Sequence, residues 1–219
     1  DVIAGRVSMI FEAYGSGADA TLSIDAGDND LVGIDNVHVH SASGHTTLAL
    51  YTTGYAGTAA NPLGALDAYA GGGDATLVVI GDQGIEAGNV TADGFGASSI
   101  ALLSMSGGVG TGSIASDNLA IGADTLTLGD ITITGDLELS TFSGDLVAGD
   151  IVASTATLSS SANLSVDTIT AIGCGCGISL TAIGDIQVYG GGGFQVISFS
   201  SGNNPGLFSN GDIDVAAGG

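Results

Sequence analysis

The chain has 219 residues, of which 23 are acidic and one, Arg6, is basic, for a formal net charge of −22. Nucleic acid needs Lys and Arg to displace its counterions and an anionic membrane surface repels a polyanion, so charge excludes both as partners. Gly occupies 39 positions and hydrophobic residues 44%; with no strict Gly-X-Y period and with Val, Ile and Leu regularly placed, neither collagen nor disorder fits.

Cations are the natural small partners: protons, Ca²⁺, Mg²⁺, or a saline medium that screens self-repulsion. A trypsin-like protease has one site, at Arg6, which suits an exposed, long-lived material. Purely apolar runs are short, as at Leu77–Ile80, so membrane insertion is not expected. Asp1 stands first with no signal peptide before it, which fits a processed end or a cut boundary.

In Val2–Tyr14, Val7, Met9 and Phe11 alternate with Ser8, Ile10 and Glu12, a strand pattern. Residues 1–16 read as an N-terminal strand or cap and 17–219 as the repeat domain, one domain overall. From Gly17 a two-part repeat begins. Its first part is Gly-x-x-small-Leu, as in GADATLSI at Gly17, GHTTLALY at Gly44 and GDATLVVI at Gly73, with weaker forms at Ser98 and Ala123. Its second part is Asx-apolar-x-apolar followed by small residues, as in DNVHVHSASG from Asp35, GNVTADGFG from Gly88 and DNLAIGAD from Asp117. The anchors Leu22, Leu48, Leu77, Leu102 and Leu126 are 26, 29, 25 and 24 residues apart.

The repeat is clearest at Gly129–Ser154, GDITITGDLELSTFSGDLVAGDIVAS. Ile131 and Ile133 face one way, as do Leu137 and Leu139, with polar residues between them. Each Gly-Asp turns the chain, because Gly accepts positive φ and Asp bonds the backbone that follows it. No stretch carries a helical pattern of ten or more residues. The expectation is an all-β chain, a parallel β-solenoid or stacked β-arches with irregular Gly/Asp turns. About eight rungs at roughly 4.8 Å each make a rod of about 40 Å. The C-terminal DIDVAAGG stops on a repeat unit and reads as an open edge able to add another subunit.

Gly129–Ser154 and the later NLSVDTITAIG at Asn163–Gly173 resemble the repeats of filamentous-haemagglutinin-type surface proteins. That resemblance, over residues 17–219, implies a right-handed parallel β-helix, secretion to the bacterial exterior and a role in adhesion. The composition is also similar to that of subunits building extracellular sheaths and amyloid-like fibres.

Several residues are candidate sites. Cys174 and Cys176 stand in GCGCG. A bridge between them is strained, because extended i,i+2 positions lie further apart than the usual Cα separation of about 5.5 Å. Intermolecular disulfides stapling subunits, or structural cysteines that are unpaired or locally bridged, are the alternatives, and a thiolate metal site lacks further Cys ligands. His38 and His40 alternate with Val37 and Val39; with the valines inward, both imidazoles face out and could share a transition metal, or serve as ordinary surface histidines. His45 is near in sequence. Asp25, Asp28 and Asp30 in DAGDNDLVG could give oxygens to calcium, the one candidate cofactor, or act as turn aspartates. No base–nucleophile spacing or HExxH occurs, so an enzyme is not expected.

The expected function is structural: a subunit of a self-assembling extracellular filament or sheath, joined to its own copies by edge-to-edge β-stacking. The alternative is an adhesin or binding module of a larger secreted β-helix, whose outward loops such as Thr53–Leu66 or Ser200–Asp212 touch a glycan or a host surface.

Overall fold

The structure is a computed structural model that describes residues 9–172, 177–189, 207–209 and 213–216. It is all-β, a parallel β-solenoid of about eight turns. Each coil visits three ladders, here called faces I, II and III. In the third coil, Ala75–Gly81 lies on face I, Gly84–Ala87 on face II and Val90–Gly94 on face III, before Ser98–Leu103 returns to face I.

Face I is a sheet of nine strands running from Ala20–Asp25 to Leu207–Ser209. Faces II and III belong to one 14-stranded sheet. They meet in Leu146–Ala153, whose residues 146–148 pair with Leu126–Leu128 on face II, and whose Ile151 and Val152 pair with Ile131 and Thr132 on face III. The strand Met9–Gly15 joins face III by pairing with Ile34–Ser41, so the N-terminal strand belongs to the same solenoid.

The register stacks like on like. On face I the inward column runs Leu22, Leu48, Leu77, Ile100, Leu119, Leu137, Ala156 and Ile178. Beside it run Ile24, Leu50, Val79, Leu102, Ile121, Leu139, Leu158 and Leu180. Face II sends in Ile85, Val109, Leu126 and Leu146, and face III sends in Leu66, Val90, Ile114 and Ile131. These aliphatics form one continuous buried cluster, against which Leu22, Ile24 and Ile178 pack partly buried. Full burial of each large side chain contributes about 1.5–3 kcal/mol, so the stacked columns are the main source of stability. Buried hydroxyls at the bends serve the turning carbonyls: Ser41 Oγ donates to Ala18 O at 2.7 Å and Thr46 Oγ1 to Tyr69 O at 2.7 Å.

Two sequence expectations are corrected by this register. The repeat has three parts per coil, not two: DNVHVH lies on face III, whereas DNLAIGAD, which shares its pattern, lies on face I. The leucine anchors also slip. Ile100, not Leu102, sits over Leu77, and Leu126 belongs to face II. A slip of two residues keeps the same side chains inward, so alternation cannot detect it. Down the first column, the coil from Leu48 to Leu77 is the longest. The coils then shorten through Ile100 to the stretch from Leu119 to Leu137, the tightest, and lengthen again by Ile178.

The Gly-Asp grammar has a different use from the one expected. Asp25 does bond just ahead of itself, its Oδ1 accepting from Gly27 N at 2.9 Å. At the corners, Asx side chains instead hold the next coil. Before face I, Asp19 Oδ1 accepts from His45 N at 2.9 Å, and Asp74 Oδ1 accepts from Ala97 N at 2.9 Å. Before face II, Asp145 Oδ1 accepts from Asn163 N at 2.9 Å and Asn163 Oδ1 from Asp185 N at 3.0 Å. Before face III, Asn89 Oδ1 accepts from Ser113 N at 3.1 Å and Asp130 Oδ1 from Asp150 N at 3.1 Å. A backbone N–H at a bend lacks a strand partner, and a carboxylate or carboxamide one coil away supplies it. Much of the acidic composition is thus coil-to-coil mortar.

Candidate functional site

His38 and His40 lie on face III between Val37, 0% exposed, and Val39, 1% exposed. The imidazoles therefore face outward, as the alternation predicts. They take different partners. His38 Nδ1 lies 3.3 Å from Asp67 Oδ2; a carboxylate only accepts, so Nδ1 carries the proton in this bond. His40 stands between Tyr14 and Tyr69, with ring centroids 5.9 and 4.8 Å away and interplanar angles of 65° and 78°. Register explains the gathering: Tyr14, His40 and Tyr69 are direct partners on three adjacent strands, as are His38 and Asp67 on two of them. The five side chains line a surface concavity of about 390 Å³. His45 is elsewhere, in the corner column before face I, where its Nδ1 accepts from Asp74 N at 3.0 Å.

Among the described residues, no group of three or more His, Cys, Asp or Glu is placed to hold a metal ion. Asp25, Asp28 and Asp30 have separate employments. Asp28 Oδ1 accepts from Thr53 Oγ1 at 3.1 Å, and Asp30 Oδ1 accepts from Tyr55 N at 2.9 Å. These two bonds tie the first coil to the second, while Asp25 serves its own turn through Gly27. Cys174 and Cys176 lie outside the described residues.

A polar knot that the sequence does not advertise sits where the coils are shortest. Asp117 Oδ1 accepts from Thr134 Oγ1 at 2.5 Å and Asp117 Oδ2 from Ser98 N at 2.8 Å. The Thr134 hydroxyl, then the Ser98 amide, holds the Asp117 carboxyl below the ordinary aspartate range against a smaller opposing effect of burial. Nearby, a shallow groove of about 620 Å³ crosses five strands of face I. Its floor includes Ala101 and Ala120, and Asp136 and Glu138 line one stretch of it. At the N-terminal end of face I, Leu22 and Ile24 are only partly buried, whereas their partners Leu48 and Leu50 are fully enclosed. Among the described residues, the strand Ala20–Asp25 has a face I partner on one side only.

Sequence reasoning found His38 and His40 but not Tyr14, Asp67 or Tyr69. Each of these is a full coil away from its histidine and meets it only through the parallel register. Coil lengths vary too much for spacing to reveal such a meeting. No family model matches the chain, and no curated protein or solved structure matches it either.

Proposed function

We propose that this chain is a structural solenoid that joins further copies of itself end to end, as the subunit of an extracellular filament or sheath. The observation that carries the reading is the partly exposed Leu22/Ile24 rung on the strand Ala20–Asp25, which among the described residues has a face I partner on one side only. An edge strand with free N–H and C=O groups and an apolar face accepts a parallel strand from another copy and buries both. The near absence of Lys and Arg supports an exposed, protease-resistant setting. A net charge of −22 opposes association until salt, divalent cations or acid reduce it.

The test is electron microscopy and sedimentation of the native protein across salt concentration, with and without chelator and reductant, beside Leu22→Asp/Ile24→Asp. Filaments that lengthen with salt and are lost in the double variant support the reading. Monodisperse rods under every condition, or filaments indifferent to the double variant, overturn it. Loss in reductant would assign Cys174 and Cys176 as staples.

The face I groove favours a second reading, a surface binding module for a glycan or host protein. Its alanine floor, edged by Asp136, Glu138 and the hydroxyls of Thr155 and Thr157, suits a ligand with both apolar faces and hydroxyl groups. Monodisperse rods that bind glycans, and lose them on Glu138→Ala, would promote it.

A further inference from the structure

We infer that Tyr14, His40, Tyr69 and Asp67 form a binding site for a small quaternary ammonium solute. The site is independent of any self-assembly. Three rings from three adjacent strands meet on the outward side of face III, at interplanar angles of 65° and 78°. A flat ligand such as a sugar ring needs one open aromatic plane. Rings set nearly at right angles instead turn faces and edges in several directions about a concavity, which suits a compact, round cation.

Exposure and charge agree with this. Tyr14 is 70% exposed and Tyr69 40% exposed, so ring faces are open to solvent rather than consumed by the core. Asp67 lines the same concavity, and Asp93, the register partner of Tyr69 on the next strand, is exposed beside it. The chain as a whole carries −22, so the long-range field draws cations of every kind. Aromatic faces then select among them. Sodium and magnesium keep their water, whereas a quaternary ammonium is weakly hydrated, has no N–H to donate, and gains from contact with tyrosine π-systems. The concavity of about 390 Å³ is of a size to seat a small solute.

The experiment is equilibrium dialysis of labelled tetramethylammonium against the whole protein at physiological salt, a readout indifferent to assembly state. Tyr69→Leu and Tyr14→Leu keep the net charge, so any uptake due to the overall field is equal in all three proteins. Asp67→Asn keeps the rings and removes the local carboxylate. Saturable binding that weakens about fivefold or more in either Tyr variant, and several-fold in Asp67→Asn, is expected. Far-UV circular dichroism checks that these outward substitutions leave the fold intact. Should a Tyr variant misfold, Asp67→Asn and competition by choline chloride carry the test. Uptake that is unsaturable, equal in the tyrosine variants, or displaced equally by sodium chloride overturns the inference. So does saturable binding of methyl glycosides in place of tetramethylammonium.

Discussion

The hydroxyl of Thr134 donates to Asp117 Oδ1 at 2.5 Å across a sequence separation of 17 residues, which is one coil. The bond joins two coils at the narrowest part of the solenoid and favours the ionised carboxylate. Asp117 is therefore lowered in the folded chain, by Thr134 first and the Ser98 amide second. In the unfolded chain it returns to about 3.9. A lowered carboxyl contributes stability in full above the unfolded value and loses it as pH falls through the folded one. Asp117→Asn should lower the unfolding free energy measured by urea titration at neutral pH by about 1 kcal/mol, given the partial exposure. Its gap from the parent chain should close below about pH 4. A gap that is constant with pH would show that the charge of Asp117 contributes nothing.

Two glycines with positive φ test how tightly the coils are stacked. Gly27, at φ 57°, has nothing near the place where a Cβ would stand. Gly57, at φ 80°, has the Glu86 carbonyl and the Leu63 amide there. Gly27→Ala should cost only the left-handed strain, about 1–2 kcal/mol. Gly57→Ala adds a collision with backbone and should cost roughly 3 kcal/mol or more. Denaturant midpoints of the two variants decide it, and equal losses would mean that the coils separate freely at Gly57.

Thr111 offers a gain. Its Oγ1 is buried with no hydrogen-bond partner among the described residues. Its register partners are Ala87 and Leu128, both buried. Thr111→Val keeps the β-branched shape and removes the unsatisfied oxygen, so it should raise stability by up to about 1 kcal/mol. A lower melting temperature would show that the hydroxyl finds a partner.

His45 occupies a corner otherwise held by Asp19 and Asp74. It serves as an acceptor there, through Nδ1. Asn presents an equivalent oxygen and Ala presents none. His45→Asn should leave the unfolding free energy from denaturant titration nearly unchanged, whereas His45→Ala should lower it by up to about 1 kcal/mol. Equal behaviour of the two variants would dismiss the corner bond.

The solenoid itself was legible because its inward columns need only alternation and turns. Period two puts Ile131, Ile133, Leu137 and Leu139 on inward faces, and all four are buried. What spacing could not convey was which ladder a strand joins. Leu126 follows a motif of small residues and Leu much as Leu22 does. Yet the coil from Ile100 to Leu119 is shorter than the one from Leu77 to Ile100, and Leu126 lands on face II. The aromatic cluster was hidden for the same physical reason. Tyr14, His40 and Tyr69 meet through parallel register alone, and nothing local in the chain marks them as neighbours. The acids were visible, but whether Asp30 serves its own turn or the next coil depends on where Tyr55 is brought in space.

The unequal coils give the molecule a mechanical character. Corner bonds one coil apart measure the girth: His45 to Asp74 spans 29 residues, Asn118 to Asp136 spans 18, and Asn163 to Asp185 spans 22. The resistance of a beam to bending drops steeply as its cross-section shrinks. A load applied across this rod would concentrate its curvature at the waist, beside the Asp117–Thr134 bond. Chains of such units would flex once per subunit at a set place, like links, while the thick coils kept their shape.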